Sequence, residues 1–114
     1  MATPGAYNLV CPQATTFNFQ FQITENGTPW NLTGYQVIMT VRPFAGSTTT
    51  TLLATIENGK IAVDPYNGRI TITFSALDTA IKAESYVYDV MLDSGSVVTR
   101  ILEGQFIVVA GVTV

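Results

Sequence analysis

No histidine occurs in this chain of 114 residues, and Cys11 is its one cysteine. Histidine acid–base catalysis, a thiol–imidazole nucleophile, an intrachain disulfide and a cysteine/histidine zinc site are excluded by composition. Cys11 reads as an inert, buried or semi-buried thiol, an intersubunit disulfide being the other use open to it. Charge is scarce too. Only 11% of residues are charged, and Lys60, Lys82, Arg42, Arg69 and Arg100 are the only cations, leaving a formal net charge of -3. Such a chain offers no basic field for phosphates, so nucleic acid is not an expected partner. No apolar run approaches the ~20 residues that span a bilayer, and the N-terminus lacks the n- and h-regions of a signal peptide. Synthesis in the cytoplasm, with no membrane partner, is the expectation.

At 47% hydrophobic, the chain has ample material for a core, and its length suits one domain over residues 1–114. Period-two alternation dominates. Phe17, Phe19, Phe21 and Ile23 share one face of Thr15–Ile23, with Asn18, Gln20 and Gln22 on the other; Tyr35, Val37, Met39 and Val41 repeat the pattern up to Arg42-Pro43. Tyr7–Val10, Leu52–Glu57, Ile61–Val63 and Arg69–Phe74 read as further strands, with Asn67-Gly68 marking a hairpin between the last two. Ser85–Val109 reads as two long strands joined at Asp93–Ser96, with Asp89 and Arg100 on opposite arms about equally far from the turn. Ser75 followed by Asp78 amid Ala76, Leu77, Ala80 and Ile81 predicts a short crossover helix near 75–81. The fold class is therefore all-β: an antiparallel β-sandwich of immunoglobulin-like kind with that one helix. Tyr86 or Tyr88, just after the crossover, stands where such sandwiches place a corner tyrosine, or else is an ordinary strand aromatic.

No constellation reads as an active site. The eight carboxylates, among them Asp64, Asp78, Glu25 and Glu57, are scattered without the spacing of a hard-cation loop. No cofactor and no metal are expected. Asn26-Gly-Thr28 and Asn31-Leu-Thr33 match glycosylation acceptors but read as turns. Asp89 with Arg100 reads as a cross-strand ion pair, structural in role. Trp30 is either a core plug or an exposed anchor. Thr48, Thr49 and Thr50, in the loop 44–51, form either a flexible tip or edge strand. The apolar end Phe106–Val114, with Val112 and Val114, either finishes the last strand or reaches onto a neighbour, and Met1–Gly5 could form an ordering arm.

Trp30-Asn-Leu-Thr-Gly34, Tyr35 to Arg42-Pro43, Gly68-Arg-Ile-Thr-Ile72, Ser75 to Thr79, Tyr88-Asp89-Val90, Val98-Thr-Arg100 and Glu103-Gly104 follow one another in an order that resembles the N-terminal domain of phage baseplate upper proteins. The resemblance covers about Tyr7 to Val114. It implies an immunoglobulin-like sandwich that attaches a receptor-binding or fibre module to a phage tail, although no coiled or receptor-binding region follows in this sequence. The expected function is a non-enzymatic structural protein of a tailed-phage virion, docking in multiple copies on the tail or baseplate as an adaptor or attachment module. Its partners would be other virion proteins, with itself as homo-oligomer or symmetric array. Capsid decoration (a cement protein) is the alternative within that class. A carbohydrate-binding module, using Trp30 with Tyr7, Tyr35 or Tyr66 against host-surface glycan, is the alternative outside it. Tyr86, Tyr88, Asp89 and Arg100 are the expected framework; Trp30, Thr48, Thr49, Thr50, Val112 and Val114 are the candidate partner contacts.

Overall fold

Alternation sorts the side chains into two layers around one core. In the computed structural model, which describes residues 5–111, the strands are β1 (Gly5–Ala6), β2 (Leu9–Pro12), β3 (Phe17–Gln22), β4 (Thr24–Glu25), β5 (Thr28–Pro29), β6 (Gln36–Arg42), β7 (Leu52–Thr55), β8 (Ile61–Asp64), β9 (Arg69–Phe74), β10 (Ser85–Asp93) and β11 (Val98–Val109). The larger sheet runs β1-β11-β10-β6-β7, with β2 also on β11; the smaller runs β3-β9-β8, and β4 and β5 form a separate hairpin. Val37, Met39, Val41, Val90 and Phe106 of the larger sheet, all without exposed surface, face Ile70, Ile72 and Phe74 of the smaller. Phe106 bridges the layers, edge-on to Phe17 at 5.4 Å and to Phe74 at 6.1 Å. Burying each such large side chain contributes about 1.5–3 kcal/mol, which makes this alternation the main specification of the sandwich.

Three features differ from the sequence expectation. The first strand is split: β1 and β2 both pair with β11, and they do so parallel, not antiparallel. Between them the Tyr7 N–H donates to the Glu103 carbonyl at 2.9 Å, and the Tyr88 hydroxyl donates to the Tyr7 carbonyl at 2.6 Å. A Cβ at Gly104 would overlap that Tyr7 carbonyl, so glycine is required for the chain to lie so close.

The crossover helix near 75–81 does not form; residues 76–79 make a turn. Its capping bonds are present, Asp78 N–H donating to Ser75 Oγ at 3.1 Å and Ser75 N–H to Asp78 Oδ2 at 2.9 Å. The first turn closes with Thr79 N–H on the Ser75 carbonyl at 3.1 Å, but Ala80 N–H donates to the Leu77 carbonyl at 3.3 Å instead of the Ala76 carbonyl that a second α-turn requires, and the end of the segment is held by tertiary bonds. Ala14 N–H donates to the Thr79 carbonyl at 3.1 Å, and Gln13 Nε2 donates to the Ile81 carbonyl at 2.7 Å. A helix nucleus that is not propagated beyond its first turn is unfavourable. The 3-10 turn Pro65–Asn67 is the helical element among the described residues; it closes the β8–β9 hairpin, with Gly68 at φ 63.

The β10–β11 hairpin carries a bulge. Val90 pairs with Leu102 but Met91 with Arg100, so Ile101 is the extra residue and Asp89 lies opposite Glu103.

Candidate docking surface

The sandwich has two outer faces of different chemistry. On the smaller sheet, the register sets Asn18 against Thr73 and Gln20 against Thr71. The amides close across the strands: Asn18 Nδ2 donates to Thr73 Oγ1 at 3.0 Å, Gln20 Nε2 to Thr71 Oγ1 at 3.1 Å, and Gln22 Nε2 to the Asn67 carbonyl at 2.8 Å. Ala62 pairs with Thr71 on the far strand, so the middle of this face is uncharged. Charge stands only at its ends, Arg69 opposite Asp64 at one and the Lys60–Asp78 pair, 2.6 Å apart, at the other. Amides and hydroxyls bonded to each other are less costly to dehydrate than free charges.

On the larger sheet, the bulge decides the outer chemistry. Arg100 Nε lies 3.2 Å from Asp89 Oδ2, and its Nη1 is 3.9 Å from Glu103 Oε1, so one guanidinium serves both carboxylates although Asp89 is not directly opposite Arg100. An open groove of about 620 Å³ runs beside them, lined by Arg42, Val87, Asp89, Arg100, Glu103 and Gln105. Arg42 Nη1 donates to the Ser47 and Thr49 carbonyls at 3.2 and 3.3 Å and to Thr50 Oγ1 at 2.9 Å. The threonine loop is thus neither strand nor free tip; Arg42 holds it at the rim of the groove, with Thr48, Thr49 and Thr50 exposed.

The other singled-out residues lie elsewhere. Tyr86 and Tyr88 face the core, where the Tyr86 hydroxyl donates to the Lys82 carbonyl at 2.7 Å. Burial, with Glu84 second, raises the Tyr86 phenol; burial, with Tyr7 second, pushes Tyr88 up to about 12, so both stay protonated at neutral pH. Burial also raises the Cys11 thiol, which leaves it a poor nucleophile. Trp30 is half-buried and edge-on to Tyr35 at 5.9 Å, beside a hollow of about 380 Å³ that it shares with Phe21, Ile23, Ile101 and Leu102. Tyr7 stacks on Phe19 at 6.0 Å. Trp30 and Tyr35 therefore do not form a flat platform. Val112, Val114 and the arm residues before Gly5 lie outside the described residues. Among the described residues, no group of three acidic, cysteine or histidine side chains gathers to hold a metal ion, and no helix is long and apolar enough to cross a membrane.

Sequence reasoning did not identify Arg42, Thr71 and Thr73. The signal for the threonines was there, in Thr71 and Thr73 alternating with Ile70, Ile72 and Phe74.

A family model described as the BppU N-terminal domain matches residues 14–111. Among solved structures, the chain is similar to the N-terminal domain of phage TP901-1 ORF48, with a TM-score of 0.55 and 16% identity, over 95% of this chain and 89% of that one. At that identity the likeness concerns the fold. No curated protein matches.

Proposed function

Because the chain belongs to the BppU N-terminal domain family, the N-terminal domains of phage baseplate upper proteins, we propose that it is a non-enzymatic structural protein of a tailed-phage virion. It docks in multiple copies on the tail or baseplate, as an adaptor or attachment module for other virion proteins. The observation that carries this reading is the outer face of the smaller sheet, where Asn18, Gln20, Thr71 and Thr73 form a self-bonded and uncharged centre. Interface centres are depleted in charge relative to the rest of a surface, and this face meets that description without exposing an apolar sheet to water. Partner contact at the threonine rim, through Thr48, Thr49 and Thr50, belongs to the same proposal.

The test is mass spectrometry of purified particles, combined with Gln20→Glu/Thr71→Glu in the phage genome. The wild-type chain is expected in the virion, at a copy number that follows tail symmetry. The double variant is expected to fold but to be lost from particles. Absence of the wild-type chain from particles overturns the reading, and copy numbers in the hundreds move the protein from tail to shell.

A further inference from the structure

Three Asn-Gly pairs occur in the chain, Asn26-Gly27, Asn58-Gly59 and Asn67-Gly68, and the structure treats them very differently. Asparagine before glycine is prone to intramolecular attack because no side chain shields the following backbone nitrogen. The reaction needs the asparagine amide to be free and the local backbone to move.

Asn58 meets neither condition. Its Oδ1 accepts from Thr55 N–H at 3.0 Å and Lys60 N–H at 3.1 Å, and its Nδ2 donates to the Leu53 carbonyl at 2.9 Å. Asn67 is held as well. Its Nδ2 donates to Asp64 Oδ2 at 2.8 Å, its carbonyl accepts from Gln22, and Gly68 is buried with its own carbonyl bonded to Ile23 N–H. Any motion at Gly68 meets the backbone oxygens of Ile23 and Trp30, which crowd its Cβ position.

Asn26 is the opposite case. It is exposed, its side chain has no hydrogen-bond partner among the described residues, and nothing lies within 4 Å of the Gly27 Cβ position. Its backbone already sits at φ 53, with Gly27 at φ 79, in a two-residue turn between the two-residue strands β4 and β5, below which the Trp30 N–H bonds the Ile23 carbonyl at 2.9 Å. A hairpin this short and exposed opens locally at little cost.

We propose that Asn26 is a site of spontaneous covalent modification in the folded protein. Solvent hydroxide removes the Gly27 N–H proton, and the nitrogen attacks Asn26 Cγ. The Cγ–Nδ2 bond breaks and ammonia leaves, giving a five-membered succinimide. Water then opens the ring at either carbonyl, yielding aspartate or isoaspartate. The balance is one water in and one ammonia out, with no oxidation. The product carries a new carboxylate beside Glu25, next to the apolar hollow at Trp30. The isoaspartate form also lengthens the turn by one backbone atom.

The full-length protein, incubated in warm, mildly alkaline buffer and digested after glutamate and after lysine or arginine, places the three asparagines in separate peptides for mass spectrometry. In the native state Asn26 is expected to convert at least about tenfold faster than Asn58 or Asn67, a factor worth ~1.4 kcal/mol of barrier. In concentrated urea the three rates are expected to converge. Equal rates in the native protein, an earlier conversion of Asn58 or Asn67, or the same disparity in urea overturns the proposal. Asn26→Gln should abolish the signal in its peptide and leave the other two unchanged; a signal persisting there also overturns it.

Discussion

Thr79 and Thr15 hold each other by two bonds through one hydroxyl: Thr79 Oγ1 donates to the Thr15 carbonyl at 2.6 Å and accepts from the Thr15 N–H at 2.9 Å. Thr79 is the buried polar side chain of the described core, and Thr15 lies on the approach to β3. The pair ties the crossover to the first strand of the smaller sheet. Thr79→Val keeps the shape and orphans both Thr15 backbone groups, so a loss of about 1–3 kcal/mol is expected in urea unfolding, with Thr79→Ser recovering much of it. A valine variant as stable as wild type would show that water replaces the hydroxyl.

Tyr88 is expected to make stability fall at high pH. Its phenol ionises at about 12 when folded against 10.0 as the ordinary value, so the folded state binds the proton more tightly. This contribution is complete below pH 10 and is lost as pH rises from 10 towards 12, by roughly 3 kcal/mol at most. Tyr88→Phe also loses the tether to the Tyr7 carbonyl and should be about 1 kcal/mol less stable at neutral pH. Its decline between pH 10 and 12, followed by circular dichroism, should be shallower than that of wild type.

The acid side should report Lys60 and Asp78. The hydrogen bond from Lys60 holds the Asp78 carboxyl below its usual value; partial burial opposes this and Ser75 adds to it. The stabilisation is present above the ordinary carboxylate pKa of 3.8 and is lost as pH falls through the depressed folded value. Lys60→Met is expected to cost up to ~1 kcal/mol at neutral pH, the upper end for a partly exposed pair. The difference from wild type should shrink as the solution is acidified below that range. A difference constant with pH would assign the loss to packing of the lysine stem.

Asn58 is expected to act as an edge guard. Its side-chain amide takes the Leu53 carbonyl and the Thr55 N–H, two of the outward groups a further strand would use on the free side of β7. Asn58→Ala reopens that edge, where Leu53 is already 45% exposed. Concentration-dependent association in analytical ultracentrifugation is expected for the variant and not for the wild type. A variant that remains monomeric would refute the role.

The layers of the sandwich were legible in the sequence because burial follows a period of two, and Phe17 to Phe21, Val37 to Val41 and Tyr86 to Leu92 each declare their inner face. The charged pair was half legible. Counting from the turn brings Asp89 near Arg100, but it cannot show the extra residue at Ile101 that aligns Asp89 with Glu103 and makes Arg100 reach back. The crossover was misread because its local signals are real: Ser75 and Asp78 do cap one another. The segment leaves the helical path after one turn, where Ala80 N–H goes to the Leu77 carbonyl, and bonds from Ala14 and Gln13, partners more than sixty positions away, hold the Thr79 and Ile81 carbonyls on that other path. The amide rungs of the candidate surface needed the β3–β9 register, which no single strand contains.

The parallel seating of β1 and β2 on β11 sets the timetable of folding. Gly5 pairs with Leu102 and Leu9 with Phe106, so β1 and β2 have no strand to lie against until residues 98–109 follow them from the ribosome, at roughly 5–20 residues per second. Contacts of such sequence separation slow folding, because the loop between them must be closed before any bond forms. The β1–β2 side of the larger sheet thus closes last, after β6, β7 and β10 can already pair with one another, and β1 and β2 wait, unpaired, until the one strand they join has been made.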